Sequence, residues 1–313
     1  MRAVTIRAGE IHVQDRPDPV PGLGEVLVQV AAAGLNGADL LQLRGAYPAP
    51  PGSPADIPGL EFAGEVVAVG DGATRFARGD RVMGIVGGGG QAERIAVHER
   101  QLMPVPAALD LRDAGGFAEA YTTAHDALIT QAQLRPGERL LVHGAAGGVG
   151  TAAIQLAAAI GASVVATSRH DQFDAQLSAL GAEVVARPGE HQGFGPFDVV
   201  LELVGAGNLA DNVKGLATGG RIAIVGVGGG FKSELNLLAL MSVRGRIMGS
   251  TLRSRPLEEK AATARAVERE VLPLVQRGHL TVPVDARFAL ADAAAAYAHF
   301  SAGGKFGKVL IEF

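Results

Sequence analysis

Residues 140–150 read LLVHGAAGGVG. An apolar run enters a turn of small residues, and a helical pattern follows from about Gly148. Gly147 and Gly150 fill the last two positions of a G-x-G-x-x-G fingerprint, with Ala145 in the first. Small residues there permit a tight turn and let backbone N–H groups approach a pyrophosphate, to which a helix N-terminus adds partial positive charge. Alone the motif is weak. Here it follows a strand pattern, opens a helix and begins a series of strand–helix alternations, which is the context that gives it meaning. The competing reading is a structural glycine-rich turn that binds nothing.

Outward from this loop, short apolar runs at 139–143, 163–167, 184–186, 198–203, 221–226 and 246–250 alternate with helical patterns at 149–160, 172–180 and 209–216. Such alternation indicates parallel βαβ units. Residues 1–105 are different: β-branched runs at 26–31, 61–69, 81–86 and 92–97 are bounded by Gly and Pro clusters. Residues 113–133 read as a helix. The tail carries a helix at 258–278, a short strand at 286–288, an Ala-rich helix at 290–300 and a closing strand at 308–313. A β-rich start, an inserted α/β block and a return predict an α/β protein of two domains. A discontinuous domain of residues 1–118 and 253–313 would hold a Rossmann domain of residues 119–252.

The composition agrees. Of 313 residues, 48% are hydrophobic and 19% charged, enough apolar material for packed cores. A net charge of −4 argues against a nucleic-acid or anionic-membrane partner. The absence of cysteine excludes disulfides and thiolate zinc sites. The N-terminus has no apolar core of a signal peptide, and the longest apolar stretch, near 152–166, is shorter than the roughly 20 residues of a membrane span. The expectation is a soluble, cytoplasmic protein.

The end of the second α/β strand bears on which dinucleotide binds. A carboxylate there would hold a ribose 2′-hydroxyl; a basic or small polar group admits a 2′-phosphate. The strand at 163–167 ends in Ser168-Arg-His-Asp171. Arg169 can fork onto a phosphate, Ser168 adds a hydroxyl, and His170 contributes when protonated. Asp171 reads as a helix cap.

With these residues in hand, the chain resembles the quinone-oxidoreductase (zeta-crystallin-like) branch of the medium-chain dehydrogenase/reductase superfamily, and most the stress-inducible NADPH quinone oxidoreductase group. The resemblance runs nearly end to end. It includes Gly34-Leu-Asn-Gly-Ala-Asp-Leu40, Arg44-Gly-Ala-Tyr-Pro48, Gly59-Leu-Glu-Phe-Ala-Gly64, Gly88-Gly-Gly-Gln-Ala92, Leu252-Arg-Ser-Arg255 and Gly304-Lys-Phe-Gly-Lys-Val309. It implies a GroES-like catalytic domain with a Rossmann domain, an active site in the cleft between them, NADPH as donor, a quinone or enone as acceptor, and a homodimer. It also implies roles. Asn36 would lie beside the nicotinamide ribose, with Asp39 supporting that loop and Tyr47 lining the substrate mouth. Thr123 would touch the nicotinamide edge, and Ala146, Gly147, Gly148 and Val149 would cradle the pyrophosphate. Gly226, Val227, Leu252 and Ser254 would flank the nicotinamide half, and Phe306 and Lys308 belong to a cofactor-contact segment. Arg253 and Arg255 either draw an anionic cofactor or face solvent.

The chain departs from the metal-dependent relatives. They carry a cysteine where Asn36 stands and a histidine where Leu60 stands, so an alkoxide would find no Lewis acid here. Two departures weigh against NADPH: Pro188 falls where a tyrosine often covers the adenine, and Gln172 and Phe173 fall where a lysine often meets the 2′-phosphate. An enone or enoyl-thioester reductase, or an idle NADPH-binding protein, are the alternatives.

Overall fold

The computed structural model describes residues 1–313. It divides into two units, Met1–Thr122 with Leu252–Phe313, and Thr123–Thr251.

The first unit opens with an antiparallel hairpin, β1 (Arg2–Arg7) and β2 (Glu10–Asp15). There follow β3 (Glu25–Gly34), α1 (Gly37–Leu43), β4 (Glu61–Val69), β5 (Arg81–Ile85), β6 (Arg94–His98) and β7 (Leu102–Pro104). Alternation along β3 buries Val26, Val28 and Val30 against Phe62, Val66, Val82, Val97 and Leu102, the period-two pattern of a strand with one face on a core. The chain leaves this unit within α2 (Ala118–His125), which continues as a π-helical turn over Asp126–Gln131. The helix expected over 113–133 is thus three consecutive pieces, the first a 3-10 turn at Asp113–Gly116.

The second unit alternates β8 (Arg139–Val142), α3 (Gly148–Ala159), β9 (Ser163–Thr167), α4 (Asp174–Ala179), β10 (Val184–Ala186), β11 (Phe197–Glu202), α5 (Leu209–Lys214), β12 (Leu216–Ile224), α6 (Leu237–Ser242) and β13 (Arg246–Gly249). All six strands are parallel, in the order β10-β9-β8-β11-β12-β13. Numbered from β8, this is 3-2-1-4-5-6, the order of a dinucleotide-binding sheet whose ligand sits where the winding reverses, beside β8. Leu140, Leu141 and Val142 are all buried because helices cover both sheet faces. Burial of each such side chain contributes on the order of 1.5–3 kcal/mol.

The chain then re-enters the first unit through α7 (Leu257–Glu270), α8 (Leu272–Gln276), β14 (Val284–Ala289), α9 (Ala293–Ala302) and β15 (Lys308–Glu312). The single helix expected over 258–278 breaks at Val271, because Pro273 has no N–H to continue the ladder. β15 pairs antiparallel with the end of β3, Leu310 opposite Gly34. That pairing joins the two sequence-distant parts of the unit and carries Lys308 to the start of α1. No helix is long and apolar enough to cross a membrane.

Candidate active site

In the second unit, α3 begins at Gly148 with Gly147 as an extended N-cap (φ −78°, ψ 169°) and no side chain over it. The first-turn N–H groups therefore carry the helix's partial positive charge at the turn of residues 146–149. Gly150 is required by packing: a Cβ there would lie 2.5 Å from the Ala145 carbonyl oxygen. The Ala145 N–H donates to the Thr167 carbonyl (3.1 Å), tying the loop to the end of β9.

Just beyond Thr167, the Ser168 hydroxyl donates to the His170 carbonyl (3.0 Å) and accepts from the His170 N–H (3.2 Å). Expected as a phosphate donor, Ser168 instead closes the turn. Arg169 is exposed and makes no hydrogen bond or ion pair. His170 is also exposed, its ring edge-on to Phe173. Arg187, a residue the sequence reading missed, buttresses this turn from the end of β10, donating to the Ser168 carbonyl (2.8 Å) and pairing with Asp174. Its only signal was its position after the neighbouring strand. Across the sheet, the Val225 and Gly226 N–H groups donate to the Glu202 carbonyl (3.0 and 3.1 Å), and Val227 is exposed. Glu202 is structural: its carboxylate accepts from the N–H groups of Val204 (2.7 Å) and Gly205 (2.8 Å) and from Asn212 (2.8 Å). His143 joins that network through Asn212 (2.7 Å) and Thr167 (3.0 Å), and burial lowers its pKa. Thr123 is buried on α2.

In the first unit, Asn36 caps α1, and its N–H donates to the Asp39 carboxylate (2.8 Å). The second Asp39 oxygen accepts from the Gly59 N–H (3.1 Å). Asp39 is fully buried, and desolvation pushes its pKa up to about 6 against those two donors and the charges of Lys308 and Arg253. Asp39 supports the Asn36 loop, as the resemblance implied, since both oxygens accept from backbone N–H groups.

Lys308 departs furthest from its expected role as a cofactor contact. Its buried ammonium donates to the Leu35 carbonyl (2.9 Å), Asn36 Oδ1 (2.8 Å) and Glu61 Oε1 (2.5 Å). An ammonium has three donors, and all are engaged inside the unit. Glu61 reaches this point because Gly34 has no side chain; a Cβ there would lie 2.4 Å from Oε1. Glu61 Oε2 accepts from the Glu119 N–H (2.8 Å).

Tyr47, half-buried, is held by Arg253, whose guanidinium lies 4.9 Å from the ring centroid and donates to the Tyr47 carbonyl (2.9 Å). Arg253 also donates to Gly87 O (2.8 Å) and Gln42 Oε1 (2.5 Å). It does not face solvent; it ties three segments around Tyr47. Leu252 is buried, Ser254 exposed, and the Phe306 N–H donates to Asp285 (2.9 Å).

Residues 22–133 match the alcohol dehydrogenase GroES-like domain family, and residues 148–269 the zinc-binding dehydrogenase family. A quinone oxidoreductase of Rattus norvegicus is 31% identical over 312 residues, 94% of this chain and 90% of that protein. The chain belongs to the medium-chain dehydrogenase/reductase superfamily. Within that superfamily, the structure of a Thermus thermophilus quinone oxidoreductase, determined also in complex with NADPH, superposes with a TM-score of 0.87 at 34% identity, covering 100% of both chains. A polyketide synthase subunit of Mycobacterium tuberculosis is 33% identical over 97% of this chain, which corresponds to 14% of that much longer protein. The chain is thus an oxidoreductase of the medium-chain type.

Proposed function

We propose that this member of the superfamily is an NADPH-dependent, metal-independent reductase of quinones. The observation that carries the reading is Lys308. A zinc ion, which the family name implies, does not fit the residues around it. Asn36, at one position where a metal ligand would be sought, already shares a buried ammonium with Glu61, and Leu60, at the other, is buried and apolar. No group of three or more His, Asp or Glu gathers elsewhere. Without a Lewis acid for an alkoxide, the chemistry favoured is reduction of an acceptor that is already electrophilic.

NADPH, when bound, supplies a hydride; the acceptor takes that hydride and one proton to become a hydroquinone. The α3 N-terminus would hold the pyrophosphate and the unpartnered Arg169 the 2′-phosphate. Tyr47, fixed by Arg253, would orient the acceptor, and the proton would come from water or the Tyr47 hydroxyl. Catalysis is then mostly proximity and orientation. A homodimer is part of the reading. β13 is an edge strand, and beside it in sequence α6 exposes Leu237, Leu238 and Met241 at 64–74%, a patch suited to a second copy.

Similarity to a polyketide synthase subunit favours one second reading, an enone or enoyl-thioester reductase. A panel of quinones, enones and acyl thioesters, followed by loss of NADPH absorbance, tests both. Quinone turnover supports the first reading, and turnover of enones or acyl thioesters alone supports the second. NADPH binding without any turnover leaves the idle protein.

A further inference from the structure

A quinone is an electrophile toward thiols and amines as well as toward hydride, and this chain has no thiol. Its amines are the strongest side-chain nucleophiles left. Lys308 is sealed in its buried ion pair with Glu61. Lys305 donates to the Phe300 carbonyl (3.2 Å) and lies over that ring, and Lys232 lies over the Phe231 ring. Lys214 is exposed at the end of α5. Lys260 differs from all of these. It is half-buried on α7, and its side chain makes no hydrogen bond or ion pair.

Lys260 also lines a partly open pocket within the first unit. Ile85, Met103, Leu252 and Ala264 form its apolar walls. The cavity volume of about 20 Å³ suits one water or one carbonyl oxygen. Thr122 lines the same pocket at 2% exposure, and its hydroxyl has no partner. A buried hydroxyl is costly to leave unpaired, so the pocket calls for an oxygen acceptor. Apolar walls, a free hydroxyl and a free amine thus meet in one place. Burial lowers the Lys260 pKa; the charge of Arg253 adds to this and that of Glu119 opposes it. More of this amine is neutral at a given pH than for an ordinary lysine.

We infer that Lys260 is a covalent capture site for quinones with an unsubstituted ring carbon, with the Thr122 hydroxyl holding the quinone oxygen. The neutral amine bonds to that ring carbon. The nitrogen gives up one proton and the ring carbon another, and the two quinone oxygens take one each. The product is an amino-substituted hydroquinone on Lys260, and no oxidant or cofactor is consumed. Quinones whose ring carbons are all substituted escape capture.

The test exposes the full chain, without NADPH, to one equivalent of para-benzoquinone at neutral pH and locates the adduct by intact mass and peptide mapping. A single adduct should be found, on Lys260. Lys260→Arg should lose it and keep the wild-type rate of quinone reduction. Thr122→Val should slow its formation by about 3- to 10-fold, the range for one lost neutral hydrogen bond. The labelling rate should level off at a pH below the ordinary lysine value. Tetramethyl-benzoquinone should leave no adduct. Labelling of another lysine, a histidine or the N-terminal amine instead, unchanged labelling of Lys260→Arg, or no labelling at all overturns the inference. The wild-type map decides this even where a variant fails to fold. Labelling needs no turnover, so a chain that captures benzoquinone and reduces no quinone refutes the proposed function while this inference stands.

Discussion

Asp39 is completely buried, and its surroundings push its pKa up to about 6. From about pH 4 to about pH 6 the folded protein retains a proton on Asp39 that the unfolded chain has released. This group therefore favours folding at the acid end of that window, and its contribution falls by about 3 kcal/mol once pH exceeds the folded value. Asp39→Asn should flatten that part of the stability profile, as measured by denaturant unfolding across the window; an unchanged slope would assign it to other groups. Tyr47 gives a kinetic prediction. If its ring stacks on the acceptor, Tyr47→Ala raises the quinone KM while Tyr47→Phe is nearly silent. If its hydroxyl assists, Tyr47→Phe lowers kcat and kcat/KM together. The stacking outcome is the one expected, because quinones need little acid assistance, and the NADPH dissociation constant should hardly move. Asn36, Asp39 and Tyr47 stand out in the sequence because each sits in a short, distinctive loop. Lys308 and Arg253 did not show their roles there. Their partners lie far off in sequence, 247 residues for Glu61 and 211 for Gln42, and only the folded chain reveals that their charges are engaged internally.

Among elements, the end of β9 carries the proposed cofactor choice. Arg169 is exposed and unpartnered there, and no carboxylate stands at the strand end. NADPH should bind more tightly than NADH, and Arg169→Ala should cost on the order of 1.5–3 kcal/mol of NADPH affinity while leaving NADH unaffected. Fluorescence titration of both cofactors checks this, and equal affinities in the wild type would remove the assignment. The parallel strands β8, β9 and β11 were legible because each is a short apolar run whose residues are mostly buried. The β1–β2 hairpin was not. Its two-residue turn is Ala8-Gly9, both with positive φ (51° and 77°), and alanine in that position lacks the Asn-Gly signature by which such turns are recognised. β12 was legible only in part: its start at Leu216 fits the end of a helix equally well, since apolar residues of short elements match either period. α1 and α6, of 7 and 6 residues, are too short for helical periodicity to register.

For the whole molecule, the two-unit organisation follows from β15 returning to β3, and the closing strand was visible in sequence although its partner was not. Association through β13 and the apolar face of α6 should give a dimer. Light scattering at micromolar concentration should report twice the chain mass, and Met241→Lys should shift it toward the monomer. A monomeric wild type would contradict this. The central claim concerns chemistry: hydride transfer from NADPH to a quinone with no metal, Asn36 being held by Lys308 where a metal ligand would otherwise be sought. Its most direct test is the rate of quinone-dependent NADPH oxidation before and after exhaustive chelation. The account predicts the same rate in both samples and no gain on adding zinc. Loss of activity on chelation with recovery on zinc, or no quinone-dependent oxidation in either sample, would contradict it.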